Sequence, residues 1–165
     1  MTAPARPPRM TITRMDTGAT ISAQFNPEEV TEEIGVNFAE PAVLGLSHQP
    51  LQYLNTSNLL LNFDMGFDVL SIEGGTALAS RRFLHAVCYS SRAAQTVASG
   101  GTPDLFFVWP NLYSLVCRLK KLRIVHKRFN LSGLPTLFAA SLTLVEVRNV
   151  RLYSEDVENY GTMRS

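Results

Sequence analysis

From Leu59 to Asp68 the chain alternates: Leu59, Leu61, Phe63, Met65 and Phe67 interleave with Leu60, Asn62, Asp64, Gly66 and Asp68. A period of two belongs to a strand with one face buried and one wet. Leu137–Val147 repeats the pattern, with Phe138, Ala140, Leu142 and Leu144 on its apolar face. Ala77–Ala98 loses that period and places Phe83, Leu84, Val87, Cys88 and Ala94 on one helical stripe, with Arg81, Arg82, Ser90 and Arg92 mostly opposite. Gly74-Gly75 marks one helix boundary, and Ser99-Gly100-Gly101-Thr102-Pro103 stops the helix with residues that cap it and then forbid continuation. Two alternating strands and one amphipathic helix must cover each other's apolar faces, which predicts a single core.

Shorter signals complete the pattern. Thr11–Arg14 and Thr20–Phe25, joined by Asp16-Thr17-Gly18, read as a hairpin. Thr31–Asn37 reads as a third strand, with Ile34, Val36 and Phe38 on one face. Residues 39–57 hold Pro41, Gly45 and Pro50 and read as a long connection with at most a brief extended piece at Leu51–Leu54. Leu105–Trp109 and Leu115–Arg128 are extended, separated by Pro110-Asn111, and the turn Asn130–Pro135 precedes the last strand. Trp109 is expected to be structural, packed at a strand end. Within the middle strand the apolar parity shifts, from Leu115, Cys117 and Leu119 to Leu122 and Ile124. One extra residue near Lys120-Lys121, a β-bulge, keeps both sets facing the core. The fold class is therefore mainly β with one inserted α-helix, an antiparallel β-sandwich or barrel.

Composition narrows the function. With 165 residues, 45% apolar and 18% charged, the chain fits one domain: a Pro/Arg-rich arm over 1–9, a β domain over 10–150 and a tail over 151–165. A net charge of +1 removes any global electrostatic case for nucleic acid or an anionic membrane. The N-terminal residues carry no apolar run of a secretory signal, so maturation in the cytoplasm is expected. Leu59–Leu61 and Leu105–Trp109 fall far short of the ~20 apolar residues of a membrane helix, so no membrane insertion is expected. Cys88 and Cys117 lie apart and are read as small buried residues.

Motifs for catalysis are missing. His48, His85 and His126 are dispersed, and neither a nucleophile elbow nor a phosphate-binding or dinucleotide-binding glycine pattern occurs, so no metal, cofactor or catalytic residue is assigned. Glu28-Glu29 and Glu32-Glu33 read more naturally as a solvated acidic face than as an acid/base pair. Charge is nevertheless concentrated: Arg118, Lys120, Lys121, Arg123, Lys127 and Arg128 place six of the 15 basic residues within eleven positions. Only Phe129 adjoins this run, so base stacking and sequence-specific nucleic-acid binding have little support. Glu28, Glu29, Glu32, Glu33 and Glu40 supply the opposite charge in another segment. Complementary patches on one chain suit a head-to-tail ring of identical copies, against the alternative of two solvated faces.

The order of motifs resembles the tube-domain proteins of contractile injection systems and contractile phage tails, a family that includes baseplate adaptors between spike and tube. The resemblance rests on Phe25-Asn26-Pro27-Glu28 after an early strand, the alternating strand through Phe63-Asp64, the helix, Pro103-x-Leu105-x-Phe107-x-Trp109, and Ser132-Gly133-Leu134-Pro135 before a strand closing at Glu146. It covers about residues 10–150. Two departures stand out: Pro110 follows the tryptophan where the family commonly has Gly, and the chain ends at Ser165 without room for the LysM domain of many adaptors, so cell-wall binding is not carried over.

What the resemblance implies is a non-enzymatic, ring-forming subunit, hexameric, whose strands join those of its neighbours into an inner barrel. Its partners would be itself, a spike or hub protein and tube proteins, with sheath or baseplate wedge proteins as further candidates. It would be made in the cytoplasm and built into a phage tail or phage-tail-like particle. The adaptor that initiates the tube is the leading role, the repeating tube protomer the second, and a monomeric β-sandwich binding module the alternative from another class. The arm, the 39–57 loop and the tail Glu155–Ser165 are read as clasps onto neighbouring subunits or the next ring, against the alternative of plain surface segments.

Overall fold

The computed structural model describes residues 8–71, 74–90 and 101–148. Nine strands and one helix follow in the order β1 (Thr11–Arg14), β2 (Thr20–Ser22), β3 (Val30–Glu33), β4 (Val36–Ala39), β5 (Gln52–Thr56), β6 (Leu60–Asp68), α1 (Gly74–Ala86), β7 (Leu105–Trp109), β8 (Tyr113–Phe129) and β9 (Pro135–Glu146). Seven strands form one antiparallel sheet in the order β2-β1-β7-β8-β9-β6-β3, and β4 pairs with β5 in a second sheet.

The large sheet curls until its distant strands touch. Phe63 on β6 stacks on Phe107 on β7 with centroids 5.4 Å apart, although β8 and β9 lie between those strands in the sheet. Gln24, just beyond β2, brings the first edge to the end of β6. Its side-chain Nε2 donates to the Asp68 carbonyl at 3.1 Å and its Oε1 accepts from the Asp68 amide at 2.7 Å. This single amide does the work of a strand pair, so the sheet is an open barrel rather than a closed one.

Both alternating segments bury the face expected, except that Leu59 is only partly covered. Leu61, Phe63, Met65 and Phe67 on β6 meet Leu144, Leu142, Ala140 and Phe138 on β9 residue for residue. Helix α1 lies on the concave side and buries Ala77, Ser80 and Leu84, at helical spacing, with Phe83 partly covered and Val87 buried just beyond its end. The bulge is also present: the β8–β9 register shifts between Leu119 and Lys121, so Leu119 and Leu122 both point inward while Lys120 is the extra residue. Trp109 ends β7 partly buried against this core.

Three expectations need correction or extension. The proposed third strand Thr31–Asn37 is two strands in different sheets, because β3 pairs with Leu60–Phe63 of β6 and the chain then changes partner at Ile34-Gly35. The extended piece expected at Leu51–Leu54 within the connection 39–57 is a strand, β5, which pairs with β4, so the β3–β6 ribbon continues outward as an arm. Helix α1 ends at Ala86 and Cys88 is exposed rather than buried. The rest of the expected helix, including Arg92 and Ala94, lies outside the described residues, as do most of the N-terminal arm and the whole tail from 149.

Candidate assembly interface

Strand β8 is longer than its neighbour. β7 pairs only with Tyr113–Cys117, whereas β9 pairs with β8 from Cys117 to Phe129. From Arg118 to Phe129 β8 is therefore paired on one side only among the described residues, and this half holds the whole basic run. Register separates the faces: Arg118, Lys121, Arg123 and Arg128 stand opposite Val145, Thr143, Ser141 and Leu137 on the outer face, while Leu122, Ile124 and His126 face inward. Lys120 and Lys127 fall at register shifts. All six cations are exposed, and Arg118 has an internal partner, its Nε lying 2.5 Å from Asp104 Oδ1.

The acidic patch sits at the opposite edge. Glu28 and Glu29 are exposed just before β3, and Glu33, opposite Leu60, shares the outer face. Glu32, opposite Leu61, turns to the inner side and accepts a hydrogen bond from the Tyr113 hydroxyl. Burial, and then the Glu32 carboxylate, push the Tyr113 hydroxyl well above its ordinary pKa. Among the described residues no salt bridge joins the two patches.

Residues of the family motif prove to be local anchors. The Asn26 Oδ1 accepts from the Met10 amide at 3.0 Å and its Nδ2 donates to the Pro8 carbonyl at 2.9 Å, tying the chain before β1 to the start of the Pro27-Glu28 segment. Phe25 is exposed and lies over Gly66, the gap in the outer pattern of β6. Phe63 is core, Asp64 points outward beside it, and Pro103 is buried under the entry to β7. After Trp109, Pro110 takes the second place of a turn closed by the Leu112 amide on the Trp109 carbonyl at 3.0 Å, and Asn111 adopts φ 68°. Pro followed by a left-handed residue suits a type II turn, so this turn forms without the family's glycine. Between β8 and β9, Asn130 Oδ1 accepts from the Ser132 and Leu134 amides at 2.9 Å each, and Gly133 takes φ 75° ahead of Pro135.

One surface escaped the pattern reading. The β4–β5 arm exposes Val36, Phe38 and Tyr53, and its connecting segment exposes Leu44, Leu46 and Leu51. Phe38 meets Tyr53 edge to face at 6.3 Å, yet they remain 47% and 60% exposed. Alternation at Ile34, Val36 and Phe38 is the signal that was there, but it reports an apolar face without saying what covers it. Elsewhere, burial first and then Glu146 push the Cys117 thiol up to about 12, which suits an inert core residue. Among the described residues no three His, Cys, Asp or Glu side chains gather as a metal site, and no helix is long and apolar enough to cross a membrane.

Comparison with known proteins gives one family. The family model described as contractile injection system tube protein matches residues 9–152. A solved structure, the cryo-EM structure of the anti-feeding prophage baseplate, 6-fold symmetrised, holds a similar chain at 14% identity and a TM-score of 0.36, covering 90% of this chain and 95% of that one. No curated protein matches.

Proposed function

Since the chain belongs to the contractile injection system tube protein family, we propose that it is a ring-forming subunit which, as an adaptor in the baseplate, joins a spike hub to the inner tube. Membership makes it a structural component of a phage-tail-like particle, assembled with other tail components. The hexameric ring, the hub-facing position and synthesis in the cytoplasm are the further steps of this reading. It is supported above all by two unlike edges: a one-sided basic β8 and an acidic β3 on the same sheet. Identical copies can satisfy both edges at once head to tail, and such contacts make a ring where the rotation between copies closes and an open filament where it does not. An adaptor must also present a surface different from its ring contacts, and the apolar β4–β5 arm offers one. We assign no catalytic role.

Exposed ion pairs contribute only ~0–1 kcal/mol each, so the charges select partner and register while strand pairing and apolar burial supply the affinity. Lys121→Glu with Arg123→Glu is expected to leave a folded subunit that no longer forms rings, as read by mass and electron microscopy. Adding Glu29→Lys with Glu33→Lys should restore part of the assembly. Rings formed normally by the first double variant would sink the charged-edge reading.

The second reading, the repeating protomer of the tube, is favoured by the description of the family model itself. Counting copies per particle separates the two, because an adaptor makes one ring and a protomer a long stack.

A further inference from the structure

Between α1 and the inner face of distal β8 runs a groove of about 380 Å³, bounded by Arg81, His85, Tyr89, Leu122, Ile124 and His126. A shallower extension along the helix adds Arg82. Helix α1 packs chiefly on β6, so it forms the wall nearer the middle of the sheet, and β8 forms the floor. The remaining side runs along the edge of residues 118–129, where no described strand other than β9 pairs with β8. Among the described residues no acidic side chain lines the groove, and two of its atoms, Arg81 Nε and His126 Nδ1, are closed off from solvent without a hydrogen-bond partner. Buried polar nitrogens are normally paired, so this cationic groove lacks an acceptor as it stands.

A strand added to β8 brings its own inward side chains to that open side, and a second copy of this chain offers one. β8, β9, β6 and β3 are successively antiparallel, so β3 runs opposite to β8. Rotation about an axis along the strands keeps their directions, and the next copy's β3 therefore arrives antiparallel to β8. One edge of β3 is available, since among the described residues it pairs only with β6. The irregularities of β8 choose the register. Between its first two shifts β8 is regular over six residues, Lys121–His126, and the acidic stretch Glu28–Glu33 is also six residues long. Laid against each other, they set Glu33 on Lys121 at the outer face and Val30 on Ile124 at the inner face. Glu28, which shares the parity of Val30 and Glu32, falls on His126. The Asn26 side chain, tied to the Met10 amide and the Pro8 carbonyl, anchors the segment from which Glu28 projects.

We propose that the α1–β8 groove of one copy is the socket for Glu28 of the next copy, whose carboxylate accepts hydrogen bonds from Arg81 and His126 while its Val30 lies beside Ile124. The socket rests on the ring reading and gives the helix a part in it. A rotation of the Arg81 side chain turns its guanidinium to the carboxylate, and charge-assisted bonds there satisfy the two orphaned nitrogens. Glu32 does not compete for the site, because its own subunit's Tyr113 already donates to it. The outer-face charges then choose the partner, and Glu28 fixes how far the incoming strand slides along β8.

Ring formation by the full chain, followed by mass against protein concentration, reads this contact. Arg81→Gln and Glu28→Gln should each raise the concentration of half-assembly about tenfold, and the double variant should be no worse than either, because both remove the same bond. Glu28 is exposed, so its variant tests the contact without disturbing the core. Arg81→Glu with Glu28→Arg should assemble better than Arg81→Glu alone, which a loss of folding could not produce. Cys88 borders the groove and is exposed, whereas Cys117 is buried. A maleimide should therefore label Cys88 more slowly in rings than in the Lys121→Glu, Arg123→Glu subunit. The socket is overturned if rings form and either single variant assembles as the wild type does, if the two effects add in full, if the charge swap fails to rescue, or if Cys88 reacts equally fast in both states. The ring reading survives each of those results, whereas a wild-type chain that forms no rings overturns both.

Discussion

Leu61 is 1% exposed and opposes Leu144 across β6 and β9, so its side chain is held away from water in the core. Leu61→Ala is expected to destabilise the subunit by ~2–5 kcal/mol, visible as a lower denaturation midpoint. Tyr113 makes a different kind of contact, its hydroxyl donating a hydrogen bond to the Glu32 carboxylate across the curl of the sheet. Its folded pKa lies above the ordinary 10.0, first through burial and then through Glu32, so the native state holds the phenol proton that the unfolded chain releases. The stability this supplies is whole below pH about 10 and is lost as pH climbs towards the raised folded value. The stability advantage of the wild type over Tyr113→Phe should therefore shrink above about pH 10 in denaturation at a series of pH values. A constant difference would show that the hydroxyl does not titrate with folding.

At the scale of elements, the bulge in β8 allows a sharp comparison. Lys120 is the residue that the register with β9 skips, so deleting it leaves Leu119 and Leu122 in strict alternation. Deleting Arg123 instead would set Leu122 and Ile124 on opposite faces and turn one face of the distal strand inside out. The first deletion should keep a cooperative thermal transition, and the second should lose it. This bulge was legible in the sequence because both flanking runs are apolar on one face only, and so were β6, β9 and the α1 stripe. In the β4–β5 arm only extended pieces were legible, from the alternation at Ile34, Val36 and Phe38 and from Leu51–Leu54; that the two pair as a ribbon was not, because both faces are largely exposed and no core fixes a partner. Nor were the links Gln24–Asp68 and Glu32–Tyr113, which join residues 44 and 81 positions apart and exist only once the sheet has curled. Charge clusters can be counted in a sequence; that the basic one lies along a half-paired strand depends on the unequal lengths of β7 and β8.

For the whole molecule, closure of the curled sheet depends on a side chain standing in for a strand. Gln24→Ala removes both the donor and the acceptor that hold the Asp68 backbone and leaves that amide without a partner, at a cost of ~1–3 kcal/mol. Hydrogen exchange should then quicken in β2 and at the end of β6 while β8 and β9 remain protected. The far side of the molecule has the opposite character. Among the described residues, no strand pairs with the backbone donors and acceptors on one side of residues 118–129. An edge of that length is a template for any stray strand, including a second β8. Two such edges coming together antiparallel would press lysines and arginines against lysines and arginines, and like charges directly opposite oppose pairing. On the proposed reading, the basic run would thus act first as a guard on the solitary chain, shortening wrong encounters and keeping the edge for the acidic strand of another copy.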